Sequence, residues 1–296
     1  MKFLLFSDLH HMPGFFMDGT YEDLKLFEKR ALEENCDFII HAGDLTHGPT
    51  KDPAFVEFYN NLKVPTYNCL GNHDADESSF EDVVRIYNMP KEYYYFDCKG
   101  YRFIVMNPNY YLAENGEYVN FSLANYFGKS RDHIPPDQLK WLEETLDSAT
   151  TPCIIISHQS FERPDGVKNR KKVLDIINAA NKKRPHTVLM CINGHYHRDY
   201  VRILDGVCYL DFNSATFEAL GKDHTCYPET NGKPLFYIAF NDPLHAIVTL
   251  EGTTIDIEGM ESSFYRDIDN KASGNNVNDA AGRPCTPRVQ SLHITL

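Results

Sequence analysis

The most strand-like runs of this chain keep breaking off at the same kind of polar turn. Residues 2–6, Lys-Phe-Leu-Leu-Phe, end at Ser7-Asp8-Leu9-His10; residues 38–41 end at Ala42-Gly43-Asp44; residues 64–70 end at Gly71-Asn72-His73-Asp74. Between these runs, 21–34, 53–62 and 80–87 read as helices, the first with Leu24, Phe27, Ala31 and Leu32 at helical spacing. Strand, polar turn and helix thus repeat three times, which βαβ units on a parallel sheet require. The fold class is therefore α/β. In such sheets the ligand site lies at the carboxyl ends of the strands, where these turns fall.

The break recurs in the second half. Residues 153–156 run into Ser157-His158, and 187–192 run into Asn193-Gly194-His195-Tyr196-His197. Residues 93–98 and 101–106 around Lys99-Gly100 read as a hairpin. Ile134-Pro135-Pro136-Asp137 opens a helix carrying Leu139, Trp141, Leu142 and Leu146, and 168–181 reads as another. Residues 201–203, 207–212, 235–240 and 246–250 read as antiparallel strands, with a last strand at 289–296. Residues 107–133, rich in Tyr, Asn and Gly, have no clear period; a loop of that length is usually functional or mobile. Residues 267–285 read as a surface excursion. Nothing resembles a repeat or a linker, so 1–296 is taken as one domain.

Together the five turns offer Asp8, His10, Asp44, Asn72, His158, His195 and His197. Carboxylate, imidazole and amide oxygen suit Mn, Fe, Zn or Ni better than copper or an iron–sulfur cluster. Seven ligands exceed one tetrahedral site, but a bridging carboxylate lets them serve two ions about 3.5–4 Å apart. A net charge of −13 argues against nucleic acid and anionic membranes as partners. Two bound ions would still make one pocket attractive to a phosphate ester. The start of the chain lacks a secretory pattern and no run is long enough to span a membrane. The eight scattered cysteines, with no C-x-x-C, fit reduced thiols in a cytoplasmic protein.

In order and spelling, D-x-H at 8–10, GD at 43–44, GNH at 71–73, the lone His158 and G-H-x-H at 194–197 resemble the calcineurin-like metallophosphoesterase superfamily. The resemblance implies a four-layer α/β/β/α sandwich of two mixed sheets, the metallo-dependent phosphatase fold. It implies two ions (Mn, Fe or Zn), with Asp8, His10 and His197 on one, Asn72, His158 and His195 on the other, and Asp44 bridging. His73 would stand beside the substrate phosphate, stabilising the transition state or protonating the leaving group, with Asp74 as its orienting partner. Leu45-Thr46-His47-Gly48-Pro49 after Asp44 lacks the tyrosine of purple acid phosphatases and the Asp-Arg-Gly of Ser/Thr phosphatases. The chain is more similar to the class III cyclic-nucleotide phosphodiesterase-like branch. That implies attack of a metal-bridging hydroxide on a phosphodiester of a small molecule such as a nucleotide. A phosphomonoesterase and a nuclease are the alternatives; an inactive metal-free scaffold is disfavoured because all seven ligands and His73 are present.

Other histidines are read individually. His11 and His47 flank ligand motifs, and His224 sits in a late loop, so all three are candidate substrate contacts. His41 lies inside an apolar run and reads as a core residue; His133, His186, His245 and His293 read as packing or surface residues. Tyr110, Tyr111 and Tyr126 can stack a base or simply pack. Arg163, Lys168 and Arg170 can hold an anion or simply open a helix.

Overall fold

Two six-stranded mixed sheets make up the body: in one the parallel strands form one half and end at its edge, and in the other they form the centre with an antiparallel strand on each side. The computed structural model describes residues 1–14, 19–219, 237–264 and 283–296, together with the backbone of strands Tyr227–Thr230 and Lys233–Leu235. In the first sheet the order is Leu292–Thr295, Thr254–Glu258, Ala246–Glu251, Lys2–Phe6, Phe38–His41 and Thr66–Tyr67. The last three are parallel, with Phe3 opposite Phe38 and Leu5 opposite Ile40. In the second sheet the order is Tyr200–Leu204, Val207–Asp211, Val188–Asn193, Cys153–Ile156, Tyr101–Val105 and Tyr94–Cys98. Its four inner strands are parallel.

The layering follows from side chains alternating across each strand. Phe3, Leu5, Phe38 and Ile40 of the first sheet meet Phe103, Val105, Ile154, Ile156 and Ile192 of the second in one buried cluster. Phe38 and Phe103 lie edge to face, 5.0 Å between ring centres. The alternate residues Leu4, Phe6 and Ile39 face Leu24, Phe27, Phe55 and Tyr59 of helices Thr20–Glu33 and Pro53–Asn60. On the other side Ile104, Ile155 and Val188 face Leu142, Leu146, Val173 and Ile177 of helices Pro136–Ser148 and Arg170–Lys183. Strands apolar on both faces are those buried on both faces. The result is the α/β/β/α sandwich.

Several elements differ from the sequence reading. Of 64–70, only Thr66–Tyr67 joins the ladder. Beyond it the backbone of Asn68 is held by a side chain instead: its N–H donates to Tyr94 Oη at 3.1 Å, and Tyr94 Oη donates to its carbonyl at 2.8 Å. Thr254–Glu258 is a strand the reading omitted, although Ile255 and Ile257 alternate with polar residues as an outer strand requires. Residues 107–133 contain a three-stranded sheet, Tyr118–Asn120, Tyr110–Leu112 and Ser130–Arg131, whose strands are too short to show a period. Much of 267–285 lies outside the described residues. Cys36, Cys69, Cys98, Cys153, Cys191 and Cys208 are free thiols. Among the described residues no helix is long and apolar enough to cross a membrane.

Truncating the inter-sheet core at Phe103→Ala is expected to cost about 3–5 kcal/mol, the range for buried aromatics. Leu32→Ala, at a residue 45% exposed, should shift stability by no more than about 0.5 kcal/mol. Urea midpoints of the two variants check both values.

Candidate metal centre

All five polar turns meet where the parallel strands of the two sheets end. Their backbones are unusual: Asp8 (φ 51°), His10 (54°), Asp44 (51°), His195 (70°) and His197 (49°) are left-handed. An L-residue held there costs about 1–2 kcal/mol, so five of seven candidate ligands sit in strained conformations, as functional sites often do. Neighbouring loops hold them in place. Asp8 N–H donates to the Gly43 carbonyl at 3.0 Å and His10 N–H to the Asp44 carbonyl at 2.9 Å. From the far end of the chain, Ala215 N–H donates to the Ser7 carbonyl and Ser214 Oγ to the Asp8 carbonyl, both at 2.8 Å. Residues 213–216 are a support that sequence reasoning missed; hydroxyl-to-backbone contacts leave no pattern in a sequence.

The ligand atoms fall into two groups. Asp8, His10 and His197 form one, with His10 Nε2 3.2 Å from His197 Nε2 and His197 Nε2 3.4 Å from Asp8 Oδ1. Asp44, His158 and His195 form the other, with His158 Nε2 2.9 Å from Asp44 Oδ2 and 3.3 Å from His195 Nδ1. Ligands about 2.0–2.2 Å from a shared ion lie about 3.0–3.4 Å from one another. Between the groups, His10 Nε2 is 4.0 Å from Asp44 Oδ2 and His158 Nε2 is 3.9 Å from Asp8 Oδ1. The carboxylates therefore stand between the imidazoles of both.

Outer contacts set the tautomers. His158 Nδ1 donates to the Ala42 carbonyl at 2.7 Å and His197 Nδ1 donates to the Phe217 carbonyl at 3.0 Å. Each ring therefore turns its Nε2 inward, the usual arrangement behind a metal-bound histidine. Among the described residues, buried Asn72 Oδ1 has no hydrogen-bond partner. Inward imidazole nitrogens, two buried carboxylates and an orphaned amide oxygen are donors for a cation, so these residues fit a pair of metal ions.

Two glycines make the approach possible. A Cβ on Gly71 would come 2.1 Å from Asp44 Oδ1, and one on Gly194 would come 2.0 Å from Ser7 Oγ and 2.4 Å from Asp8 Oδ2. Neither is a distance that atoms tolerate, so the turn can close on the carboxylate only without a side chain.

Charge is tightly balanced. Burial would raise both carboxyls, but His158 and the neighbouring imidazoles hold Asp8 well below its usual range, and His158 and His73 do the same for Asp44. Against its own burial, His158 is pushed up to about 10 by Asp44 and Asp8. His10 is held down to about 4 and His195 to about 3, chiefly by burial.

His73 stands against this cluster, its ring centre 5.2 Å from that of His10. Its partner is not Asp74. His73 Nδ1 lies 2.6 Å from Asp76 Oδ2, because the 3-10 turn His73–Ala75 brings the residue three positions on to the same side. Asp74 points into the protein and accepts from the N–H groups of Gly71 (2.8 Å), Thr46 (2.9 Å) and Asp44 (3.1 Å) and from Tyr87 Oη (2.5 Å). It ties the Asp44 and Asn72 turns together rather than orienting His73.

The three candidate substrate contacts separate. His47 lies in the cluster, its Nε2 2.9 Å from His10 Nδ1 and its ring centre 4.5 Å from that of His73. His11 turns the other way, toward Thr20 and Asp52, and stacks on Phe55 at 3.8 Å, which places it among the helices instead of at the substrate. His224 lies outside the described residues. His41 is a satisfied core residue: its Nε2 faces Asn68 Oδ1 at 3.0 Å and its Nδ1 accepts from Gly43 N–H. Arg163 is engaged by Asp165 and Asp211.

Gly194→Ala is expected to weaken metal binding about 10–100-fold, the usual effect of disturbing a ligand's support, measured against a competing chelator. Asp74→Ala strands three buried N–H groups and should cost about 3 kcal/mol or more in stability, measured by urea unfolding.

Residues 1–199 match the family model for the calcineurin-like phosphoesterases. No curated protein matches the sequence. Among solved structures, a dimetal phosphatase from Danio rerio is similar with a TM-score of 0.61 at 15% identity, over 89% of this chain and 98% of that one. GAP50 of Plasmodium, described as the anchor in its inner membrane complex, is similar with a TM-score of 0.55 at 15% identity, over 90% and 89% of the two chains. These likenesses carry the sandwich fold. Since the family match spans well over half of its residues, the chain belongs to the calcineurin-like phosphoesterases and is a metal-dependent phosphoester hydrolase.

Proposed function

We propose that the protein hydrolyses a phosphodiester of a small molecule such as a nucleotide. The observation that carries this reading is a pair of buried ligand groups flanked by a histidine, His73, that belongs to neither pair and is oriented by its own carboxylate. Asp8, His10 and His197 would hold one ion, Asn72, His158 and His195 the other, with Asp44 shared. Manganese, iron or zinc suits these donors. Two such ions, when bound, supply Lewis acidity toward phosphoryl oxygens and a nucleophilic water at neutral pH.

The chain's own residues do the rest. His73 N–H donates to Asp44 Oδ1 at 2.8 Å, which fixes the turn that carries the imidazole. Although burial opposes it, Asp44 and Asp76 raise the pKa of His73, which favours the protonated ring. With Nδ1–H held by Asp76, Nε2–H is the proton available to the departing alkoxide. His47 backs His10 through Nδ1 and orients that ligand. The departing alkoxide takes the Nε2 proton of His73 as its bond to phosphorus breaks and leaves as the alcohol, and no covalent phosphoenzyme is required.

A diester is favoured over a monoester because Leu45-Thr46-His47-Gly48-Pro49 places no arginine after Asp44 to match a second phosphate charge. The net charge of −13 counts against a polynucleotide.

With manganese supplied, the protein is expected to hydrolyse bis(p-nitrophenyl) phosphate in preference to p-nitrophenyl phosphate. His73→Ala should lower kcat about 10²–10⁴-fold, the range for a general acid, and Asp44→Asn should abolish turnover. A preference for the monoester overturns the diester reading. No hydrolysis of either ester by metal-loaded protein overturns the enzymatic one.

A further inference from the structure

The segment 107–133 reaches the metal centre at three points, all on one side. Tyr126 Oη lies 3.5 Å from Asn72 Nδ2 and also donates to Asp76 Oδ1. Asn109 Nδ2 donates to the Leu70 carbonyl at 2.8 Å, at the root of the Asn72 turn. Gln159, the residue after His158, donates to Asn109 Oδ1 at 2.9 Å and to Asp132 Oδ1 at 3.2 Å. The segment is thus fastened to the turns that carry Asn72 and His158.

Arg131 sits between two of these fastenings. Its guanidinium carbon lies 5.6 Å from the centre of the Tyr126 ring, and its Nε is 3.3 Å from Asp132 Oδ2. Its backbone is fixed in the small sheet, opposite Tyr111. The side chain is 36% exposed. Among the described residues, none takes a hydrogen bond from its two terminal nitrogens. Asn72 through Tyr126, and His158 through Gln159 and Asp132, link this guanidinium to the second ligand group. Among the described residues, no lysine or arginine makes an ion pair or hydrogen bond with any of the seven candidate ligands.

We propose that Arg131 binds the non-bridging oxygens of the substrate phosphate. A guanidinium presents parallel N–H groups that match two phosphate oxygens, and with its Nε facing Asp132 in an ion pair the terminal nitrogens remain for the anion. One cation matches the single charge of a diester. The segment 107–133 is then the wall of the substrate cleft, with Tyr126 positioning both Arg131 and the His73–Asp76 pair. This inference rests on the phosphodiesterase reading for its substrate, but not for its anion.

The test is calorimetric titration of the manganese-loaded protein with inorganic phosphate, alongside steady-state hydrolysis of bis(p-nitrophenyl) phosphate. Arg131→Met keeps the aliphatic stem and removes the charge; Arg131→Lys keeps the charge and removes the fork. Loss of a charge-assisted pair predicts about 10–100-fold weaker phosphate binding in Arg131→Met. Its metal content should equal the wild type, and the loss of kcat/KM should fall mainly on KM. Arg131→Lys should recover part of the loss. Phosphate binding in Arg131→Met within twofold of wild type overturns the proposal. If the wild-type protein hydrolyses neither ester, the functional reading fails, while the phosphate titration still decides whether Arg131 holds the anion.

Discussion

Two buried carboxylates, Asp8 and Asp44, stand where the ends of the two sheets meet, and the architecture around them supplies positive charge. A carboxylate taken out of water is costly unless paired and hydrogen-bonded. Both acids follow strands of the first sheet, and the second sheet supplies their partners. His195 N–H, from the second sheet, donates to both oxygens of Asp8, and His158 crosses from the second sheet to Asp44 and to the Ala42 carbonyl. Left-handed backbones at five ligand positions and the bare Cα atoms of Gly71 and Gly194 are what this convergence costs locally. The apolar core between the sheets, from Phe3 to Ile294, offsets it. Because ligands come from both sheets, ions bound there would cross-brace the sandwich and stabilise the folded chain by mass action.

Much of this was legible in the sequence, for a physical reason. Strands buried on both faces are written as short uninterrupted apolar runs, so Asp8, Asp44, His158 and His195 stand out where each run stops. The arrangement of the sheets was less legible. The short edge strand Thr66–Tyr67 ends early because a tyrosine hydroxyl, rather than a neighbouring strand, takes the backbone of Asn68. Thr254–Glu258 carries a readable alternation, yet it is short and follows directly on another strand. In the segment 107–133, strands of two or three residues cannot show a period.

At the site, the largest departure concerns the carboxylate beside His73. Adjacent residues point to different sides of a helical turn, while residues three apart share one. The turn after Gly71 is a 3-10 turn, so Asp76 and not Asp74 reaches the imidazole. Asp74 instead gathers three N–H groups and holds two ligand turns in register. One pair of acids close in sequence thus divides the work: one shapes the scaffold and the other orients the proton donor. His10 and His11 divide similarly, one turned into the cluster and the other stacked on Phe55 among the helices.

In the proposed site, Asp8, His10, Asp44, Asn72, His158, His195 and His197 would hold two ions side by side. Anomalous diffraction from crystals of manganese-loaded protein tests it directly. Two peaks about 3.5–4 Å apart are predicted. One should lie within about 2.0–2.3 Å of ligand atoms of Asp8, His10 and His197, and the other equally close to Asn72, His158 and His195, with Asp44 touching both. A single peak, or peaks that leave Asn72 Oδ1 and the inward imidazole nitrogens unligated, would contradict the account.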